Sequence, residues 1–333
     1  MAVLVTGATG FIAQWILYYL LKENYQVIGT VRSQEKGERL HKQFGSPSNL
    51  SFEIIKDISD IESFEPLFKK RNKEVDIVLH TASPFHYDTN DYEKDLLIPS
   101  VNGTKGVLNA VKKYGNVRKI VITSSFVAIL DITKTADGSV VFTEKDWNPI
   151  TWKRCQTDPI NAYYGSKKFA EEAAWTFVKK NNVLLTIVNP VLVFGPQKFG
   201  EDVTPQLNTS NEIINRLLHS KPGDKIEPDY HSVYVDVRDV AKAHLVAFQK
   251  ELSGQRLGLC NGRFSSQSIL DILNEKFPQL NISRGPDPGK GDTKPGAIFD
   301  NSRSKELLGF PFISLERSVY DTAAQILKRE GRL

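Results

Sequence analysis

The sequence predicts a doubly wound α/β fold, a parallel sheet with helices on both faces, followed by a smaller C-terminal α/β lobe. Three observations carry that expectation. From residue 1 to about 125, short apolar runs alternate with amphipathic stretches of helical period. Near the start, Gly7-x-x-Gly10-x-x-Ala13 joins the first strand to the first helix. After Pro190 the regular alternation ends. Short buried strands separated by helices require right-handed crossovers, and these generate a sheet covered on both sides.

The first strand is expected at 2–6 and the first helix at 11–22. Gly7 permits the sharp turn between them, Gly10 lets backbone approach a pyrophosphate, and Ala13 lets the helix sit close on the sheet. The phosphates would lie at the helix N-terminus, where free N–H groups and the macrodipole favour negative charge. Thr9, Phe11 and Ile12 of the same turn are counted with the glycines as cofactor contacts. Alone, such a turn is also an ordinary connector.

The second strand, 25–31, ends in Val27-Ile-Gly-Thr-Val-Arg-Ser33, and a helix follows at 34–44. An NAD site usually places an acidic residue at this strand end to bind the ribose 2′-OH, whereas a 2′-phosphate needs a cation. Here the residue is Arg32, with Ser33 beside it and Lys36 one turn into the helix. An arginine can also stack on adenine. Solvated side chains at a helix start are the alternative; with the glycine turn upstream, the NADPH reading is preferred.

The third strand, 51–56, leads to Asp57-Ile58 and then Ser59-x-x-Glu62, a capping box for a helix at 60–71. With Ser59 capping, Asp57 is free to accept a bond from the adenine amine, or it is a plain turn residue. The fourth strand, 75–80, ends in Leu79-His-Thr-Ala-Ser-Pro-Phe85, which sets small Ala82 and Ser83 where backbone passes the cofactor. His80 reads as a hydrogen-bonded strand-end histidine. In the helical pattern at 91–114, Pro99 marks a kink or a join. The fifth strand, 117–123, runs into Thr123-Ser-Ser125-Phe126.

Composition narrows the class. At 40% hydrophobic and 25% charged residues, the chain of 333 is ordinary globular sequence. Its +4 net charge is spread over 43 basic and 39 acidic residues without long runs, which argues against a nucleic-acid or membrane-surface protein. Cys155 and Cys260 lie far apart with no Cys-x-x-Cys and no His cluster, so neither a disulfide framework nor a metal site is expected. A first strand at residue 2 leaves no room for a signal peptide, and no apolar run spans a bilayer, so a cytoplasmic protein is expected.

The chemistry lies in Asn161-Ala-Tyr163-Tyr-Gly-Ser-Lys167-Lys168, which opens a helical stretch to about 180. Tyr163 and Lys167 are four apart and share a helix face. A phenol of ordinary pKa, about 10, becomes a better proton carrier beside an ammonium that stabilises phenolate. A strand-end serine can hold the substrate oxygen. Together these groups form a carbonyl-reduction site, with hydride from nicotinamide, a proton from Tyr163, polarisation by Ser125, and Lys167 holding the ribose and tuning the tyrosine. Tyr164 and Lys168 have the same spacing, so spacing alone leaves two frames open.

This constellation resembles the short-chain dehydrogenase/reductase superfamily in its extended form. Thr6-Gly-Ala-Thr-Gly-Phe-Ile-Ala13, His80-Thr-Ala-Ser-Pro84, Leu97-Ile-Pro-Ser-Val-Asn-Gly-Thr104, Asn189-Pro-Val-Leu-Val-Phe-Gly-Pro196 and Tyr234-Val-Asp-Val-Arg-Asp-Val-Ala-Lys-Ala-His244 resemble its dihydroflavonol-reductase-like branch. The chain is similar nearly end to end to the fungal NADPH-dependent methylglyoxal and aldehyde/ketone reductases of that branch.

The resemblance implies a Rossmann lobe at 1–190 to which 231–250 return as strand and helix, with 191–230 and 251–333 forming the substrate lobe. It implies NADP(H) as cofactor, Ser125 rather than Ser124 as the catalytic serine, the frame Tyr163–Lys167, and Pro190 and Val191 beside the nicotinamide. Pro99 is tolerated in that branch. Phe85, Phe126, Leu130, Ile160 and Phe194 are placed around the substrate, with core packing equally open for each. The expected partner is a small-molecule carbonyl, with no nucleic acid and no membrane, for a monomer or homodimer. A sugar-nucleotide epimerase or dehydratase shares the Tyr–Lys pair, but such dehydratases place an acidic residue where this chain has Ser124 and Ser125, and such epimerases retain NAD, which sits badly with Arg32. A non-catalytic NADPH sensor has no need of a proton donor.

Overall fold

The first strand, β1 (Ala2–Thr6), is buried along its whole length, as a strand covered on both faces must be. The computed structural model describes residues 2–83, 89, 91–181, 183–226, 230–292, 294 and 296–333. After β1 come α1 (Phe11–Lys22), β2 (Gln26–Val31), α2 (Gln34–Gln43), β3 (Leu50–Ile54), α3 (Glu65–Arg71), β4 (Val75–His80), α4 (Ile98–Tyr114) and β5 (Lys119–Thr123). The short strand β6 (Val141–Phe142), α5 (Pro159–Val178) and β7 (Leu184–Pro190) continue the chain. Ala13, Ile16, Leu17 and Leu20 form the buried stripe of α1, and Ala13 is only 1% exposed, so the helix lies close on the sheet. Asp158 caps α5 by accepting from the Asn161 N–H at 2.9 Å.

Two local expectations are resolved here. Ser59 does not cap a helix at 60, since α3 begins only at Glu65 and has no side-chain cap. Instead the Ser59 N–H and hydroxyl both donate to Asp57 Oδ1, at 2.8 and 2.6 Å. A bond closing over two residues outcompetes a capping box whose helix has yet to start. Pro99 marks a join: a π-helical turn over Glu93–Leu97 meets α4, and Pro99 sits in the first turn of α4, where a missing N–H is harmless.

The remaining elements are β8 (Leu192–Phe194), α6 (Thr209–Leu218), β9 (His231–Asp236), α7 (Val237–Gln249), β10 (Arg256–Leu259), β11 (Arg263–Ser265), α8 (Ser266–Lys276), β12 (Ile298–Phe299), α9 (Ser302–Leu308) and α10 (Leu315–Arg329). The main sheet is parallel and seven-stranded, in the order β10-β7-β5-β4-β1-β2-β3. Connections run outward in opposite directions from β1 and β4, which opens a crevice at their carboxyl ends.

The return near Tyr234 differs from expectation. Strand β9 does not join this sheet; it pairs parallel with β8 and antiparallel with β11 in a separate three-stranded sheet. Helix α7 does come back, packing along α1 and against β5 and β7. The strand added to the main sheet is β10, which pairs with β7 through Arg256↔Ile187 to Leu259↔Pro190. Four residues interrupted by Gly258 show no period, which is why the segment reads as loop. Ile214, Leu217 and Leu218 of α6 pack with Ile269, Leu270 and Leu273 of α8 and Val319 and Ile326 of α10 in a second core. Among the described residues, no helix is long and apolar enough to cross a membrane.

Candidate active site

The turn after β1 leaves little room for side chains at its two glycines. Gly7 has φ +67°, and a Cβ there would lie 3.1 Å from the Ala82 Cα; at Gly10 a Cβ would lie 3.2 Å from the Gly7 carbonyl oxygen. The close approach is fixed by Thr6, whose Oγ1 accepts from the Thr81 and Ala82 N–H groups at 3.1 and 3.0 Å. Helix α1 then starts with extended Gly10 as N-cap, no capping side chain and no acidic residue in its first turn. Its N-terminal donors are therefore left to an external anion. Thr9 is exposed and Phe11 and Ile12 half-buried at this rim. A Cβ-free cradle under an uncapped helix fits the pyrophosphate of a dinucleotide.

Arg32 follows β2 directly and is exposed, as is Lys36 in the first turn of α2, while the Ser33 hydroxyl caps that helix by accepting from the Lys36 N–H at 3.3 Å. The Asp57 carboxyl is held below its usual range by the Ser59 bonds, with the charge of Arg32 assisting. Asp57 is thus partly engaged by its own loop rather than free. Ile58 packs half-buried against α4, its carbonyl oxygen 3.3 Å from where a Cβ on Gly103 would stand.

At the carboxyl end of β5, Ser125 is 8% exposed and its hydroxyl hydrogen-bonds the Tyr163 phenol. The same hydroxyl caps the short turn Phe126–Ala128 by accepting from the Val127 N–H at 3.3 Å. The Lys167 Nζ lies 5.7 Å from the centroid of the Tyr163 ring and donates to Ser83 Oγ, at the end of β4, at 2.8 Å. Ser125, Tyr163, Lys167 and Ser83 therefore converge from three elements of the sheet's carboxyl edge. Ser124 points elsewhere, its hydroxyl donating to buried Glu171 Oε2 at 2.6 Å.

The two tyrosine frames separate as well. Lys168 is turned to the Ile150 carbonyl at 2.8 Å and the Phe169 ring at 5.0 Å, and burial pushes the Tyr164 phenol up to about 12. Burial pulls Lys167 down to about 8. The expected lowering of the Tyr163 pKa does not appear: burial raises it, and the bond from Ser125 opposes that rise. Desolvation is the larger effect on this phenol. His80 is buried, bonds Thr6 Oγ1 through Nδ1 at 2.8 Å, and is pushed down to about 4 by burial, with Lys167 adding to it. It is a neutral structural histidine, as the sequence suggested.

Pro190 is buried at the end of β7, and Val191 is 9% exposed just beyond it. Of the five apolar candidates, Phe126 is half-buried with its ring 4.3 Å from that of Phe299, and Ile160 stands 55% exposed at the start of α5. Leu130 is 6% exposed within the main core. Phe194 is wholly buried, its ring 4.8 Å from that of Phe264, and belongs to the second core rather than to a substrate surface. Phe85 falls outside the described residues. Sequence reasoning missed Glu171, Asn189 and Arg256, a buried polar group behind Ser125. The signal available was the four-residue step from Tyr163 to Lys167, which reaches Glu171 when repeated.

A dinucleotide cradle with serine, tyrosine and lysine at the switch point of a parallel sheet defines a nicotinamide-dependent oxidoreductase. Residues 3–260 match the model of the NAD dependent epimerase/dehydratase family, and the chain belongs to that family. It is 55% identical over 344 aligned positions, covering 100% of both chains, to the NADPH-dependent methylglyoxal reductase GRE2 of Saccharomyces cerevisiae. It is 47% identical to the putative NADPH-dependent methylglyoxal reductase GRP2 of Candida albicans, over 98% of each. The crystal structure of yeast methylglyoxal/isovaleraldehyde reductase Gre2 complexed with NADPH superimposes with a TM-score of 0.96 at 54% identity, over 100% of both chains.

Proposed function

We propose that this chain is an NADPH-dependent carbonyl reductase that converts aldehydes, α-dicarbonyls of the methylglyoxal kind and ketones to alcohols. The observation that carries this reading is the Ser125–Tyr163 hydrogen bond with Lys167 over the same ring, beside the Gly7–Gly10 cradle. The names and NADPH complex of its full-length relatives support it.

Gly7, Thr9, Gly10, Phe11 and Ile12 take the pyrophosphate, and Arg32 and Lys36 take the 2′-phosphate. Asp57 and Ile58 flank the adenine, and Ala82, Ser83, Pro190 and Val191 flank the nicotinamide end. When bound, NADPH supplies the hydride. Ser125 donates a hydrogen bond to the substrate oxygen and withdraws charge from the carbonyl carbon. Tyr163 passes its phenolic proton to that oxygen as the alcohol forms. The Lys167 ammonium then stabilises the phenolate left behind, which matters more for a tyrosine whose pKa burial has raised. Residues 191–230 and the part of 251–333 outside β10, which belongs to the main sheet, form the lobe over the substrate, with Phe126 and Ile160 as its apolar contacts. The enzyme acts on a small molecule in the cytoplasm, as monomer or homodimer.

The test is the loss of reduced-cofactor absorbance with NADPH and, separately, NADH, against methylglyoxal, a branched aldehyde and an aryl ketone. Oxidation of NADPH in strong preference to NADH is expected. Binding of NADPH without turnover of any carbonyl would overturn the reading in favour of a sensor.

A further inference from the structure

On α5 the step from Tyr163 to Lys167 continues to Glu171, so a third polar group lies on the same helix face. Its carboxylate is fully buried and receives four hydrogen bonds. Oε2 accepts from Ser124 Oγ at 2.6 Å and from Asn189 Nδ2 at 2.9 Å, and the same Asn189 amide donates to the Ser125 carbonyl at 3.0 Å. Oε1 accepts from Arg256 Nε at 2.6 Å and from Trp175 Nε1 at 3.2 Å. The Arg256 guanidinium, on β10, is fastened beyond this to the carbonyls of Glu144 and Asp146 at 3.0 and 2.5 Å. One carboxylate thus ties the helix that carries Tyr163 to the ends of β5 and β7, where Ser125 and Pro190 leave the sheet.

Stability alone does not ask for this arrangement, because a buried ion pair can often be replaced by apolar packing at no loss. A buried carboxylate differs from packed methyl groups in directing its neighbours: every partner must stand at a hydrogen-bonding position or leave charge unsatisfied. We propose that Glu171, locked in orientation by Arg256, is a positioning residue for Ser125, holding its backbone from the 124 side and the carbonyl side so that its hydroxyl meets Tyr163. The catalytic consequence rests on the carbonyl-reductase reading; the positioning itself does not.

The experiment compares Ser124→Ala, which removes one bond and keeps the ion pair, with Glu171→Gln, which keeps the shape and removes the charge. It has two readouts: steady-state kinetics with NADPH and methylglyoxal, and amide hydrogen exchange by mass spectrometry, which needs no turnover. Misplacing a reacting group slightly costs up to about 10²-fold, so kcat is expected to fall about 10-fold in Ser124→Ala and about 10²-fold in Glu171→Gln with KM for NADPH nearly unchanged. Exchange should quicken over 124–128 and not over β1 and β4. The proposal is overturned if both folded variants keep kcat within about twofold of wild type, or if exchange quickens equally throughout the sheet. If Glu171→Gln fails to fold, Ser124→Ala decides alone. A wild type that turns over no carbonyl defeats the functional reading, and exchange over 124–128 still decides this one.

Discussion

Replacing Lys167 with methionine should make the protein more stable while removing most of its activity. Burial lowers the Lys167 pKa from an ordinary 10.5 to about 8. Below pH 8 folded and unfolded chains both hold the proton, and the whole cost of the buried ammonium is present. Between about 8 and 10.5 the unfolded chain binds more protons, so stability rises with pH until the cost vanishes above 10.5. At about 1.4 kcal/mol per pH unit, the cost below pH 8 is roughly 3 kcal/mol. Against this, the charged bond to Ser83 Oγ at 2.8 Å is lost, worth about 1.5–2 kcal/mol. Lys167→Met should therefore gain on the order of 1 kcal/mol near neutral pH, a rise in Tm of about 1–2 °C for a chain of this length. Its kcat should fall by at least about 10²-fold. Thermal melts at about pH 7 and about pH 10 provide the check, because the gain should shrink at the higher pH. A variant less stable than wild type at neutral pH, or a gain that ignores pH, would refute the reasoning.

Tyr163→Phe should lower turnover by roughly 10²–10⁴ with little change in NADPH affinity, and retention of most activity in a steady-state assay would remove Tyr163 from the chemistry. Arg32→Asp should erode the preference for NADPH over NADH in kcat/KM, and an unchanged ratio would show that Arg32 does not contact the phosphate. Gly7→Ala sets a Cβ 3.1 Å from the Ala82 Cα at φ +67°, so NADPH binding followed by fluorescence should weaken about 10-fold or more. His80 and His244 are both pushed down to about 4, chiefly by burial, whereas the unfolded chain protonates near 6.5. Stability should therefore drop as pH falls from about 6.5 to 4, and His80→Gln should flatten that slope in urea titrations.

What the sequence made legible was local and periodic. The turn at Gly7 and Gly10, the strands up to β5 and the Tyr163–Lys167 spacing each depend on residues close in sequence, and the structure has them in place. The capping box at Ser59 was misjudged because two local bonding patterns, an Asx turn and a capping box, compete for Ser59 and only folding decides between them. Strand β9 was expected to return to the first lobe, but Val233, Tyr234 and Val235 suit either sheet equally, and its place is set by pairing with β8 and β11. Phe194 illustrates the limit for apolar side chains, since a pocket wall and a core ask for the same residue. Glu171, Asn189 and Arg256 were missed for a different reason: apart from Trp175, four residues beyond Glu171, the partners that join them to each other and to Ser124 and Ser125 lie at least 18 residues away in sequence.

The groups at the sheet's carboxyl edge come from separate elements, so their mutual geometry is only as good as the bonds between elements. Thr6 ties the glycine turn to β4 through His80, Thr81 and Ala82, Lys167 ties α5 to β4 through Ser83, and Asn189 ties β7 to β5 through the Ser125 carbonyl. Each of these links sets a polar or charged group in a place where apolar packing would be less costly. His80 shows how the tension is managed beside Lys167: burial and the lysine's own charge keep it neutral, so the ammonium faces no second cation. Glu171 is held by geometry instead, with fixed donors on both of its oxygens. A site whose cations and anions are each held by fixed neighbours has little reorganisation left to do when charge moves onto the substrate oxygen. On the proposed reductase mechanism, that preorganisation, rather than any one side chain, is what the buried polar groups around Ser125 and Tyr163 would supply.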